Sequence, residues 1–132
     1  MKQCSLWFLA LLLSACSDPD KVEYEMYLVN GEAIYAQHCS NCHGLKGEGL
    51  RNLYPGLQDS RELAKLPELI CLIRNGKAAD PNGAYKQAMP PNSGLYDLDI
   101  AQLVTYLRKT YTDSLARKVS VDEVKKALEN CQ

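Results

Sequence analysis

The chain has 132 residues, with 15 Lys and Arg against 16 Asp and Glu and a formal charge of -1. That length accommodates one domain with at most a peripheral segment. A balance so close to neutral directs no strong field at nucleic acid or an anionic membrane surface, which argues against nucleic acid as a partner.

At the N-terminus, MKQCSLWFLALLLSAC has one basic residue, Lys2, then an apolar run from Leu6 to Leu13, then small residues. This is the order of a secretory signal, and the run is shorter than the roughly 20 apolar residues of a membrane-spanning helix. Leu13-Ser14-Ala15-Cys16 resembles the lipobox of bacterial lipoproteins, which implies cleavage after residue 15 and acylation of Cys16; ordinary signal cleavage near Ala15 is the alternative. On this reading residues 1–15 are a lipoprotein signal peptide. The mature chain is then an exported lipoprotein on the periplasmic side of a bacterial membrane, with the lipid rather than charge as its anchor. Export places Cys39, Cys42, Cys71 and Cys131 in an oxidising compartment, where each thiol needs a role.

Residues 16–28 are charged and lack a core-sized apolar pattern, so they are expected to form a tether. A first helix is expected from Asn30 as N-cap, carrying Ala33, Ile34 and Gln37 toward Cys39. After a Gly-rich loop, LPELICLIRNG predicts a second helix: Pro67 suits the first turn, Leu66, Leu69, Ile70 and Ile73 repeat at helical spacing, and Gly76 offers a stop. Residues 77–96 are rich in Pro, Gly and Asn without periodicity, a long loop of the kind that usually has a function. A third helix is predicted from Asp97, with Ile100, Leu103, Val104 and Leu107 on one face. A fourth opens on Ser120 with Glu123 as a capping box and shows Val121, Val124, Leu128 and Cys131 on one side. No alternating run is long enough for a sheet. The expected fold is all-α, with one domain over 29–111 and a helical extension over 112–132.

The stretch HCSNCHG, residues 38–44, carries the chemistry. Cysteines at i and i+3 project to one side of a helical turn, so Cys39 and Cys42 can both reach one flat object, and His43 can aim a ring nitrogen at its centre. C-x-x-C-H is the haem-attachment pattern. A thiol-disulfide couple is the second reading, but it wants a βαβ unit that this chain does not offer. A zinc site is the third. It needs four ligands, and the other histidine, His38, adjoins Cys39 and is poorly placed to share an ion with it.

From Asn30 to about Tyr111 the chain resembles a class I c-type cytochrome, in GEAIYAQHCSNCHG, in the following YPGL, and in QAMPP ahead of the helix at Asp97. The resemblance implies a small helical domain wrapped around one covalently bound haem c. It further implies proximal ligation by His43, distal ligation by Met89, and a Pro55 carbonyl that accepts a hydrogen bond from the outer nitrogen of His43. Gly31 and Tyr35 match the family's first crossing helix, Tyr106 and Leu107 its partner. Arg51, Asn52, Tyr54 and Tyr85 are candidate propionate contacts, with ordinary solvated loop positions as the alternative. Elimination reaches the same methionine independently. Past the signal the sequence has Met26, in the acidic stretch, and Met89, in a loop stiffened by Pro90 and Pro91. A core-filling methionine is the plain alternative.

Cys71 and Cys131 lie outside the family's minimal pattern. They are expected either to staple the fourth helix onto the domain by a disulfide or to stay as buried free thiols. With His43 and Met89 filling both axial positions, substrate has no open site on the iron, so the chain is read as a carrier of single electrons and not an enzyme. Its partners would be a redox donor and acceptor among exported or membrane-bound proteins. The alternative is a haem protein with an open sixth position, peroxidase-like or gas-binding.

Overall fold

The computed structural model describes residues 18–51, 53–58, 60–83 and 86–131. The expected signal peptide over 1–15, the expected lipidation site Cys16, and the candidate propionate contacts Asn52 and Tyr85 lie outside them. Among the described residues the α-helices are α1 (Pro19–His38), α2 (Ser40–His43), α3 (Leu66–Asn75), α4 (Asp97–Tyr111) and α5 (Val121–Leu128). Short 3-10 turns occupy Arg61–Ala64 and Asp113–Leu115, and the β pairing consists of isolated bridges at Leu50 with Tyr54 and Lys77 with Met89. The fold is all-α.

α1 begins well before Asn30. Asp18 is its N-cap, accepting from the Asp20 amide at 3.0 Å, and Pro19 supplies a helical φ in the first turn. The expectation of a tether over 16–28 therefore fails from Pro19 onward, and Asn30 is an exposed residue in mid-helix. The inward side of α1 is built from tyrosines and a glycine instead of Leu and Ile: Tyr27, Gly31 and Tyr35 are buried at helical spacing. Lys118 lies 5.6 Å from the centre of the Tyr27 ring and pairs with Glu23, which fastens the early turns to the segment before α5.

α1 crosses α4 at Gly31. A Cβ there would stand 2.3 Å from the Gln102 carbonyl oxygen and 2.6 Å from the Tyr106 Cβ, so only glycine permits this approach. α4 is the centre of the molecule: Ile100, Leu103, Val104, Leu107 and Tyr111 are buried along it. Its start is fixed by Asp99, whose carboxylate accepts from the Tyr96 amide at 2.7 Å.

The extension over 112–132 is part of the same core, to which Val119, Val124 and Ala127 contribute. Thr105 on α4 donates to its own Ala101 carbonyl and accepts from the Val119 amide at 3.0 Å, tying the approach to α5 onto α4. Ser120 and Glu123 form the expected capping box, and Arg117 grips the Glu123 carboxylate with both terminal nitrogens, at 2.7 and 3.1 Å. Cys131 stands one turn beyond the end of α5 and is joined to Cys71 of α3 by a disulfide with 5.5 Å between Cα atoms. Closing a loop of sequence separation 60 stabilises by roughly 4 kcal/mol in the chain-entropy account.

Two consequences are measurable. Gly31→Ala should lower stability by about 1–3 kcal/mol despite alanine's better helix propensity, because the crossing is overpacked; a denaturant midpoint at or above wild type would show that the helices can part. The bond from Arg117 holds the Glu123 carboxyl down at about 2. A depressed folded pKa gives stability that is complete above about pH 4.3, the unfolded value, and is lost as pH falls further. Glu123→Gln should therefore lose less stability than wild type between about pH 5 and 2, read from denaturant midpoints, and parallel curves would contradict this.

Candidate functional site

α1 hands the chain directly to the CxxCH turn. Cys39 is at once the C-cap of α1, donating to the Tyr35 carbonyl at 2.9 Å, and the N-cap of α2. The amides of Cys42 and His43 both donate to the Cys39 carbonyl, at 3.1 and 2.9 Å, so the two sulfurs are carried by one tight turn. They are not bridged to each other and both are half-buried. Burial, and secondarily the neighbouring Cys42, pushes the Cys39 thiol up to about 11. A thiol so far from ionisation is a poor exchanger, and the described residues form no βαβ unit, so the thiol-disulfide reading finds no support here.

The His43 Nδ1 lies 2.9 Å from the Pro55 carbonyl oxygen. A carbonyl can only accept, so Nδ1 carries the proton and Nε2 keeps its lone pair for a metal. Pro55 is held in place by the loop that precedes it: the Gly49 amide donates to the His43 carbonyl at 2.7 Å, Leu50 and Tyr54 bridge, and the Leu57 amide donates to Gly47 at 2.7 Å. On the other side, the Tyr35 hydroxyl donates to the Gly44 carbonyl at 2.5 Å. Tyr35, Tyr106 and Tyr111 pack as a triad with ring centres 5.8 to 6.4 Å apart. Burial raises the pKa of all three phenols, so they remain protonated and neutral.

Met89 is placed first by bonds of its own backbone. Its amide donates to Lys77 at 2.9 Å and its carbonyl accepts from the Lys77 amide at 2.8 Å. Lys77 follows Gly76, the stop of α3, where φ is +70° and a Cβ would meet the Met89 carbonyl oxygen at 2.3 Å. Beyond Pro90 and Pro91, Asn92 donates through both its amide and its side chain to the Ile73 carbonyl, at 3.2 Å each. Arg74 donates to the Leu95 carbonyl at 2.8 Å and to Asp97 at 3.0 Å. The loop carrying Met89 is thereby strapped to the end of α3, and the half-buried Met89 side chain packs on the core that Cys39 also touches.

Reading the sequence alone leaves these straps unseen. Gly76 and the paired prolines signal a rigid loop, but nothing in the sequence pairs Arg74 with Asp97 or Lys77 with Met89. Arg51 is exposed with a φ of +46° and Tyr54 is half-buried at the bridge. Among the described residues no three His, Cys, Asp or Glu gather closely enough to hold a metal ion, as a zinc site requires. An imidazole with a fixed tautomer and two unbridged cysteines in one turn suit a covalently attached haem instead.

Comparison with curated proteins gives no match. A family model described as cytochrome C oxidase, cbb3-type, subunit III matches residues 28–107, more than half of the chain. The chain belongs to this family and is a class I c-type cytochrome, a haem-based electron carrier with its haem c covalently bound.

Proposed function

We propose that the protein carries single electrons between exported or membrane-bound redox enzymes, with His43 and Met89 as axial ligands and with Cys16 acylated as its membrane anchor. The observation that carries the ligand assignment is the bond from His43 Nδ1 to the Pro55 carbonyl, which leaves Nε2 as the metal-binding atom. Haem c supplies one-electron chemistry at its iron when bound. The Cys39 and Cys42 sulfurs hold it covalently, and the Pro55 carbonyl keeps the His43 ring oriented and more basic. The Met89 thioether, a soft donor, favours the reduced metal and raises the potential. Buried Ile and Leu side chains exclude water and disfavour extra charge, in the same direction. With His43 and Met89 both bound to it, the iron would have no position left for a substrate. The family model's description is that of an oxidase subunit, which supports a membrane-bound redox enzyme at one end of the transfer.

The test is a visible spectrum and a redox titration of protein matured in a host that attaches c-haem. Met89→Ala should lose the sulfur-to-iron absorption band, bind carbon monoxide rapidly when reduced, and fall in potential by on the order of 0.1 V or more. An unchanged spectrum would refute the ligand, and rapid carbon monoxide binding by wild type would favour an open sixth position. Gly76→Ala tests the strap. Gly76 has φ 70° and ψ -166°, a region essentially reserved for glycine, and forcing a Cβ into it costs about 1–3 kcal/mol before the clash with the Met89 carbonyl is counted. The same band should therefore vanish at lower temperature or denaturant than in wild type, with covalent haem attachment intact; identical melting of the band would show that this contact does not place the ligand.

A further inference from the structure

α1 is apolar on two sides. Tyr27, Gly31 and Tyr35 turn toward the core. Diametrically opposite, at 100° per residue, Val22, Met26 and Val29 follow one another at i, i+4 and i+7 and stand 45%, 57% and 65% exposed. The exposed Ala33 continues the row, and Lys21, Glu25 and Glu32 flank it. A helix with one apolar row in water and charges beside it has the pattern of one that lies in a membrane interface. The flank carries more carboxylates than amines, so the row suits an uncharged boundary rather than anionic lipid.

The start of the helix says what covers this row. Asp18 is the N-cap, and Ser17 alone separates it from Cys16. A chain reaches at most about 3.6 Å per residue, so a lipid on Cys16 is held within roughly 11 Å of Pro19, and the helical rise adds only about 5 Å to reach Val22. No slack segment holds the helix away from the bilayer. We propose that α1 lies along the membrane surface beside its lipid, with Val22, Met26 and Val29 set into the boundary between headgroups and acyl chains. The proposal rests on acylation of Cys16 in the reading above. Its consequence is positional. α1 is about 30 Å long and ends at the CxxCH turn, so a flat helix keeps that turn at headgroup height, where a membrane-embedded redox partner is met from the side.

Met26 is a built-in reporter. The haem-loaded chain, exported behind a signal that leaves Cys16 as a free thiol, is coupled through it to a maleimide phospholipid in phosphatidylcholine vesicles. Its comparison is the same protein with Cys16 capped by N-ethylmaleimide. Oxidation of Met26 by chloramine-T, followed by peptide mass and referred to Met89, should be at least about fivefold slower on the vesicle. Combined Val22→Ser and Val29→Ser should restore the rate of the capped protein. Equal rates for tethered and capped wild type would overturn the proposal, as would protection that appears only at high surface density, which would assign the row to a second copy of the chain. Peptide mass of Cys16 from the natural membrane separates the two readings. Missing acyl chains end the anchor and the proposal together, whereas an acylated Cys16 with unprotected Met26 ends the flat helix alone.

Discussion

A methyl group does not fit between Gly31 and the backbone of α4, and the placement of the haem-binding turn follows from that contact. With α1 pressed onto Gln102 and Tyr106, the next turn brings Tyr35 beneath the chain that leaves the CxxCH motif. Its hydroxyl bonds the Gly44 carbonyl while the Tyr35 carbonyl caps the motif's first residue. One residue therefore holds both ends of the turn that carries Cys39, Cys42 and His43. The helix crossing usually described as packing is here what fixes where the CxxCH turn stands.

The two halves of the site are held by different means. His43 is oriented through its own ring by Pro55, whereas Met89 is held by main-chain bonds on either side of its Cα and by packing of its side chain on the core. The second arrangement is only as firm as α3, because Gly76, Lys77 and Ile73 are the points of attachment. The fifth helix acquires a role here. α5 packs on α3 and α4, and the bond from Cys131 reaches Cys71 in the middle of α3. The C-terminal extension thus braces the helix from which the Met89 loop hangs, although it lies outside the family match.

Much of this was legible in the sequence wherever the signal is local. A CxxCH, a proline in the first turn of α3, a glycine at its stop and a Ser-x-x-Glu cap each say what a few adjacent residues will do. The early part of α1 escaped because its period is hidden. Tyrosines and a glycine form the inner face, Val22, Met26 and Val29 the outer, and a helix apolar on two sides shows no single stripe. The straps on Met89 escaped for another reason. Arg74 with Asp97 and Lys77 with Met89 are pairs distant along the chain, and neither partner carries a mark of the other.

An electron carrier works best when its ligand frame does not move between oxidation states, and each fixed point found here is backbone or is bonded to backbone. The Pro55 carbonyl, the Gly44 carbonyl, the Lys77 bridge and the Ile73 carbonyl are all main-chain atoms whose positions are set by turns and helix ends. Side chains on the surface could change widely without disturbing them. That separation explains how the outer face of α1 is left free for another use. The inner face of the same helix places the CxxCH turn, and since a helix is rigid over 20 residues, whatever its outer face rests on also sets the orientation of that turn. Under the proposed membrane seating, a single element couples where the protein sits to the orientation of the CxxCH turn.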